Sequence, residues 1–326
     1  MQRVSTPDIP LIDLSLWRDG HDADRAAIAA RLDRAMQDSG FFLVEHHGIP
    51  VELLADLRTA ARAFFALPAE QKEHYRTHVG GRGWLARGSE ANAFYGEVAD
   101  TAKADLKESL TFGRELVTGD AALDAEWFVP NRWPDVPGLE ELGRRWMDLA
   151  HGLYDDLLRM LATALGLEES YFYDRTRLSP HTFNLNRYPP LSEVGAAQHG
   201  QFRVAPHTDW GMLTVLDRQP GYGGLQVQTP DGEWADAPYV EGALTVNIAD
   251  ILARWTADRW RSTRHRVLPP SDRAPGEELI SVILFFEADM DQLIAPLPPP
   301  VGGSAEYEPV VAADYLAERT RAAAVG

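Results

Sequence analysis

The first half of the chain repeats apolar residues at the period of amphipathic helices. Asp24–Asp38 shows this spacing and is followed by Ser39-Gly40, a common helix stop. Val51–Phe65 has leucine, alanine and phenylalanine on one side, and Leu139–Leu165 carries a longer apolar stripe that predicts packing against a sheet. Shorter helices are predicted at Pro68–Tyr75 and at Asp314–Ala324.

From His181 onward the apolar pattern becomes that of short β-strands. Strands are predicted at Phe183–Tyr188, Leu244–Ile248 and Ile280–Phe286, with a hairpin joining Leu225–Thr229 to Glu233–Asp236 through Pro230-Asp231-Gly232. Earlier strands are predicted at Ile9–Leu14, Phe41–Val44 and Lys107–Phe112. Helices first and many short strands later predict an α+β protein with an antiparallel, barrel-like or jelly-roll sheet.

Composition narrows the class of protein. The 326 residues carry a formal net charge of −18, and so acidic a chain repels nucleic-acid phosphates and anionic lipids. The absence of cysteine excludes disulfides, thiolate metal sites and cysteine nucleophiles. Met1–Leu11 lacks the apolar core of a signal peptide, and no stretch approaches a membrane span. We therefore expect a cytoplasmic protein with no nucleic-acid or membrane partner; no feature specifies its oligomeric state.

The segment Ala205–Gly211 holds the strongest chemical signal in the sequence. In an extended strand, His207 and Asp209 point to the same face because they are two residues apart. Pro206 is interpreted as the start of this strand and Trp210-Gly211 as its end or as a turn. If His265 lies on a neighbouring strand, it completes two nitrogens and one carboxylate oxygen. That ligand set is the facial triad of non-haem Fe(II) oxygenases.

Several further segments match a known family. These segments are Gly40-Phe41-Phe42, His47–Pro50, Asp105–Ser109, Asn186–Pro190, Gly223–Val227 and Ala243–Val267. Through them, most of the chain resembles the isopenicillin N synthase-like family of Fe(II)- and 2-oxoglutarate-dependent oxygenases. The resemblance implies a double-stranded β-helix (a jelly-roll, cupin-like core) with flanking helices, and Fe(II) held by His207, Asp209 and His265. It also implies 2-oxoglutarate and O2 as co-substrates and a small-molecule substrate that is hydroxylated, desaturated or cyclised.

We expect one oxygenase unit over residues 1–326. Its predicted parts are a helical N-terminal region at about 1–175, an Fe-binding jelly-roll core at about 176–295, and a C-terminal segment and helix at about 296–326. The protein is expected to have no catalytic side chain beyond the metal ligands.

One departure from the family pattern concerns 2-oxoglutarate. The family has Arg-x-Ser on the strand before a Phe-Phe pair, and these two residues hold the distal carboxylate. Here the corresponding positions are Ile280 and Val282, or Leu279 and Ser281 in the alternative register, and neither register supplies an arginine. Asn186 and Tyr188 remain from the family pattern. Arg203 is the predicted substitute anchor, and the weaker candidates are Arg187, Arg266 and Arg273.

Substrate contacts are expected from aromatic residues near the metal motif. A glycine-rich segment, Gly80–Asp105, is interpreted either as a further source of substrate contacts or as ordinary surface turns anchored by aromatic rings. The candidates are Phe94, Tyr95, Phe202 and Trp210. Two alternative functions stay open at this point. The missing arginine is compatible with an Fe(II) oxidase that binds its substrate directly and does not use 2-oxoglutarate. A non-catalytic binding module is the third hypothesis, although all three metal ligands are present.

Overall fold

The computed structural model describes residues 7–91, 100–222 and 224–323. Within these ranges the α-helices are α1 (Leu14–Arg18), α2 (Asp22–Asp38), α3 (Val51–Phe65), α4 (Ala69–Glu73), α5 (Ala121–Trp127), α6 (Leu139–Ala164), α7 (Ser170–Tyr173), α8 (Leu191–Val194), α9 (Asp250–Trp255) and α10 (Ala312–Ala323). None of these helices combines the length and the apolar character needed to span a lipid bilayer.

The strands of the described ranges form two main sheets and one small pair. They are β1 (Leu11–Asp13), β2 (Phe41–Glu45), β3 (Gly83–Leu85), β4 (Glu108–Gly113), β5 (His181–Tyr188), β6 (Val204–His207), β7 (Leu213–Asp217), β8 (Leu225–Gln228), β9 (Trp234–Asp236), β10 (Leu244–Ile248), β11 (His265–Val267), β12 (Leu279–Phe286), β13 (Leu293–Ile294) and β14 (Val310–Val311). The large sheet has the order β1-β2-β10-β7-β12-β5-β4-β3, the small sheet the order β6-β11-β8-β9, and β13 pairs with β14.

Strands β5 to β12 form the core of the fold. They divide between the two sheets as a double-stranded β-helix does: β5, β7, β10 and β12 lie in the large sheet, and β6, β8, β9 and β11 in the small one. The hairpin of β8 and β9 confirms the turn predicted at Pro230-Asp231-Gly232. The predicted α+β jelly roll with flanking helices is therefore the observed architecture.

The N-terminal region is less purely helical than its periodicity suggests. Strand β2 pairs with β10 through partners such as Phe42 and Val246, while β4 pairs with β5. The sequence of β2 is a nearly continuous apolar run, and the strand is buried almost throughout. Both features are typical of a strand that is covered on both faces. The first 175 residues thus supply four strands, β1 to β4, to the large sheet.

Helix α6 covers the outer face of the large sheet. It contacts α2, α3 and β12 and buries a stripe that includes Trp146 and Tyr154. The ring of Tyr154 stacks on Phe286 with 4.1 Å between ring centroids, and its hydroxyl donates to the Glu287 carbonyl oxygen at 3.0 Å. This packing fixes the end of β12 that lies nearest the candidate metal ligands.

Strand β6 differs from the prediction in its bounds. Pro206 lies inside the strand rather than at its start, and the strand ends at His207, so Asp209 lies beyond it. Proline is tolerated here because β6 is the edge strand of the small sheet, where a missing N–H costs no ladder hydrogen bond. His207 and Asp209 are neighbours as predicted, but the predicted reason is wrong, since Asp209 is oriented by hydrogen bonds and not by the pleat of a strand.

Candidate active site

Three ligand-type side chains converge where β6 meets β11. His265 is the register partner of His207 across this strand pair. The Nε2 atoms of His207 and His265 each lie 3.6 Å from Asp209 Oδ1. One ligand atom from each of the three side chains lies within 4.8 Å of the other two, so a single ion can contact all three.

Backbone carbonyls fix the orientation of both histidine rings. Nδ1 of His207 lies 2.8 Å from the Ala205 carbonyl oxygen, and Nδ1 of His265 lies 3.1 Å from that of Thr263. A carbonyl only accepts, so each Nδ1 carries a proton and Nε2 is the ring nitrogen left to face a metal ion. Second partners of this kind are the usual way in which proteins orient metal-binding histidines.

The Asp209 carboxylate is held from behind by two buried side chains. Thr214 Oγ1 donates to Oδ2, and so does Asn247 Nδ2 at 2.7 Å. Thr214 and Asn247 are register partners on β7 and β10, so the large sheet positions a ligand that extends from the small sheet. Oδ1 is thereby left to face the two imidazole nitrogens.

The electrostatics of Asp209 and His265 suit a cation, whereas the hydrogen bond and the charge of Asp209 outweigh burial and raise the pKa of His207. Burial acts to raise the pKa of Asp209, but His265 and His207 outweigh it and hold the carboxyl ionised, with a pKa below its usual value. Burial, together with the neighbouring His207, lowers the pKa of His265 to about 4. Nearby Glu287 has its pKa raised to about 8, first by burial and then by Asp209. The donor set at neutral pH thus includes one carboxylate and an uncharged His265, as Fe(II) ligation requires.

A cavity of about 570 Å³ adjoins the three residues, a volume typical of small-molecule sites. Its walls come from the inner faces of both sheets and from α10. Register pairs define two levels along the large sheet. Nearest the metal ligands lie Thr182, Phe285, Thr214 and Asn247, and towards the other end of β12 lie Asn186, Ser281, Tyr188 and Leu279.

The structure brings some of the predicted site residues into this cavity. Asn186, Tyr188 and Trp210 line it together with the three candidate metal ligands. Phe202 does not line it and instead lies under the Arg266 guanidinium, 5.1 Å from ring centroid to Cζ. Phe94 and Tyr95 lie outside the described residues.

Arg203 is placed behind the cavity wall. Its side chain is fully buried, and its Nη1 donates to Glu277 Oε1 at 3.1 Å and its Nη2 to the Glu277 carbonyl oxygen. This placement does not support the prediction that Arg203 anchors 2-oxoglutarate. The weaker candidates do not line the cavity either: Arg187 is ion-paired to three glutamates, Arg266 stacks on Trp234, and Arg273 is exposed.

Several residues that shape the site were not predicted from the sequence. Thr214 supports Asp209, yet it lies in a run of apolar strand residues with no local sign of that role. Arg82 lines the cavity from the start of β3, with Nη2 donating to the Trp127 carbonyl oxygen at 3.0 Å. Its guanidinium lies where a side chain at Gly113 would be, and burial lowers its pKa to about 10. A pattern of inward residues on paired strands could have found Thr214, but not Arg82.

Two histidines and one carboxylate beside a cavity inside a jelly roll are the arrangement typical of non-haem Fe(II) oxygenases. Comparison with known families agrees with this class. Residues 9–136 match the N-terminal model described as non-haem dioxygenase in morphine synthesis, and residues 180–288 match the 2OG-Fe(II) oxygenase superfamily.

Individual proteins show the same similarity over nearly the whole chain. A validamycin A dioxygenase of Streptomyces hygroscopicus subsp. limoneus is 42% identical over 92% of this chain and 82% of its own length. The 2-oxoglutarate-Fe(II) type oxidoreductase hxnY of Emericella nidulans is 32% identical over 94% and 88%. The crystal structure of a full-length Neurospora crassa protein in complex with alpha-KG and thymine has a TM-score of 0.83 at 29% identity, with 98% of each chain covered.

The chain belongs to the 2OG-Fe(II) oxygenase superfamily. It is a 2-oxoglutarate-dependent dioxygenase that uses Fe(II), 2-oxoglutarate and O2 and acts on a small molecule. The resemblance to the isopenicillin N synthase-like enzymes is thereby confirmed. The alternative of an oxidase that does not use 2-oxoglutarate gains no support from these relatives.

Replacing Asn247 by alanine removes one of the two donors to Asp209 Oδ2. We expect Fe(II) affinity to fall by about 10- to 100-fold, the usual effect of losing such a partner. Asn184→Ala is the matched control, because Asn184 lines the same cavity on β5 and is not a hydrogen-bond partner of Asp209. Anaerobic Fe(II) titration measures both variants. Equal affinities for the two variants would show that Asn247 does not position the ligand.

Proposed function

We propose that His207, Asp209 and His265 hold the Fe(II) with which this enzyme oxidises its small-molecule substrate inside the cavity. The observation that carries this assignment is the convergence of Asp209 Oδ1 with the two Nε2 atoms of His207 and His265, each at 3.6 Å. Three protein ligands leave three positions of an octahedral ion for exogenous ligands. Among the described residues no fourth metal-binding side chain joins this cluster.

When bound, iron and 2-oxoglutarate supply an oxidising equivalent from O2, with release of succinate and CO2. The protein contributes geometry and exclusion of water. Asp209 reduces the net charge of the bound ion, and Thr214 and Asn247 keep its free oxygen aimed at the metal position. Tyr188 and Asn186 are proposed to contact 2-oxoglutarate, because they line the cavity beside Ser281.

The substrate is proposed to occupy the part of the cavity nearest the metal ligands. Trp210 adjoins the ligand Asp209 in sequence and packs near Val79, Leu85 and Ala323, so it forms a wall there. Thr182 lies on the same level as Thr214 and offers a hydroxyl. Arg82 supplies a mostly buried cation. These groups favour a polar small molecule with at least one hydrogen-bond acceptor.

We also propose that the chain works as one oxygenase unit. Strands from the N-terminal 175 residues share a sheet with the core, and α10 near the C-terminus contributes Leu316, Thr320 and Arg321 to the cavity wall. Dividing the chain into separate domains near residue 176 would therefore split the large sheet, and removing the residues after about 296 would remove part of the cavity wall.

The test is O2 consumption with succinate measured in parallel, using validamycin A as the first substrate probe. We expect succinate to form only when Fe(II), 2-oxoglutarate and O2 are all supplied, and chelation of the metal to stop it. Matched reactions without 2-oxoglutarate serve as the control. Substrate-dependent O2 uptake without 2-oxoglutarate and without succinate would contradict the proposal and restore the direct oxidase.

A further inference from the structure

The structure resolves which residues occupy the Arg-x-Ser positions. Leu279 pairs with Tyr188 and Ser281 pairs with Asn186, and all four line the cavity. Ile280 and Val282 are also buried, but they lie on the opposite face of β12. The serine of the pattern is therefore kept at Ser281, while a leucine stands where the arginine is expected. A distal carboxylate bound here needs its cation from another strand, because an uncompensated buried carboxylate is strongly unfavourable.

Within the described ranges, the buried or partly buried cations near this end of the cavity are Arg203, Lys107 and Arg218, and the first two are already ion-paired. Arg203 is ion-paired to Glu277. Lys107, which lines the cavity and is buried, is ion-paired to Glu90 and donates to Ser109 Oγ at 3.2 Å. If 2-oxoglutarate bound at Arg203 or Lys107, its distal carboxylate would lie close to the glutamate that is already paired with that cation. Repulsion between the two carboxylates would offset much of the attraction to the cation.

Arg218 differs from the other two in its partners. Its Nε donates to Thr245 Oγ1 at 3.3 Å, and its Nη2 donates to the carbonyl oxygens of Ala237 and Pro238. Within the described residues no carboxylate lies in ion-pair range of this guanidinium, and its Nη1 makes no hydrogen bond. Neutral partners leave its positive charge uncompensated, and burial accordingly lowers the pKa of Arg218.

The position of Arg218 also fits the task. Asp217 is the register partner of Val282 in the antiparallel pair of β7 and β12. Arg218, the next residue along the chain, therefore lies opposite Ser281. Leu216 and Arg218, two residues apart, both line the cavity, as do Leu225 and Gly224 across from them. Arg218, which follows directly after β7, therefore lines the same part of the cavity as Leu279, Ser281 and Tyr188.

We propose that Arg218 binds the distal carboxylate of 2-oxoglutarate, together with Ser281 and Tyr188, in place of the arginine that Leu279 replaces. This inference rests on the proposed function, because it assumes that the near end of 2-oxoglutarate binds at His207, Asp209 and His265. A guanidinium with a free Nη1 and a neighbouring hydroxyl gives charge-assisted hydrogen bonds to one carboxylate.

The test compares two 2-oxo acids that differ only at the distal end. Binding of 2-oxoglutarate and of 2-oxopentanoate, which lacks the distal carboxylate, is measured by calorimetry on the anaerobic Fe(II)-loaded full chain. In Arg218→Gln we expect affinity for 2-oxoglutarate to fall by about 10- to 100-fold, as for a lost charge-assisted hydrogen bond. Affinity for 2-oxopentanoate is expected to stay within about twofold of the wild type, because that acid makes no ionic contact with Arg218.

Lys107→Met and Arg203→Gln are the matched controls, and neither is expected to remove the preference for 2-oxoglutarate. The double variant Arg218→Gln/Leu279→Arg restores the arginine at its family position and is expected to recover that preference. Arg218→Lys keeps the charge and is expected to retain part of it, which keeps the test decisive if the glutamine variant fails to fold.

Three outcomes would overturn the inference. Arg218→Gln could keep the wild-type preference, it could weaken both acids equally, or the loss could follow Lys107 or Arg203 instead. Failure of the wild-type protein to bind either acid in the presence of Fe(II) is a different result, because it contradicts the proposed function itself.

Discussion

Asp209→Ala is expected to abolish 2-oxoglutarate turnover. The substitution removes the carboxylate of the proposed ligand set and would leave the two imidazoles to hold a dication in a buried site. Fe(II) affinity should fall by more than the roughly 100-fold that accompanies loss of an outer partner, because a direct bond is lost. Succinate formation at saturating 2-oxoglutarate and Fe(II) per chain after desalting are the two measurements.

The matched control for this variant is Asp236→Ala. Asp236 is an exposed carboxylate on β9 of the same small sheet and accepts a hydrogen bond from Gln226. We expect this variant to bind iron and form succinate as the wild type does. Full turnover in a folded Asp209→Ala protein would remove Asp209 from the metal site.

Phe286→Ala is expected to give the largest loss of stability. The ring is fully buried, stacks on Tyr154 at 4.1 Å and contacts the edge of His181 at 4.7 Å. Truncating such a residue leaves a cavity under α6 and lowers the free energy of unfolding by about 3–5 kcal/mol. That loss is a large fraction of the roughly 5–15 kcal/mol that folded domains have.

Chemical denaturation followed by circular dichroism measures this effect. Phe286→Leu keeps most of the apolar volume and should lose less, and Val117→Ala, at an 87% exposed position, should stay within about 0.5 kcal/mol of the wild type. A loss below about 1 kcal/mol in Phe286→Ala would show that the sheet and α6 are not held together by this contact.

Elements with strong local periodicity were the predictable part of the fold. Val51–Phe65 and Leu244–Ile248 have the predicted bounds, and the longest helix differs by one residue. The spacing of apolar residues indicates which face of a helix or strand is buried, and this spacing can be read from residues that are close together in the sequence. It does not report the pairing partner, so the joining of β2 to β10 across the sequence was not foreseen.

The convergence of the three candidate metal ligands was predictable because a short motif and a ligand count suffice to indicate it. Their orientation was not, since Asp209 lies beyond β6 and depends on Thr214 and Asn247 of the other sheet. The cation proposed to bind the distal carboxylate of 2-oxoglutarate could not be identified from the sequence for the same reason. Arg203 and Arg218 look alike in sequence, but only the structure shows that one is paired with Glu277 and the other lines the cavity with neutral partners.

The most direct measurement is an anaerobic titration of the wild-type protein with Fe(II) and then 2-oxoglutarate, followed by visible absorption. We expect one Fe(II) per chain and a metal-to-ligand charge-transfer band that develops only when both are present. The band should be absent from His207→Ala, Asp209→Ala and His265→Ala proteins that remain folded. A wild-type protein that binds no Fe(II), or a band that persists in all three variants, would contradict the assignment of this metal centre.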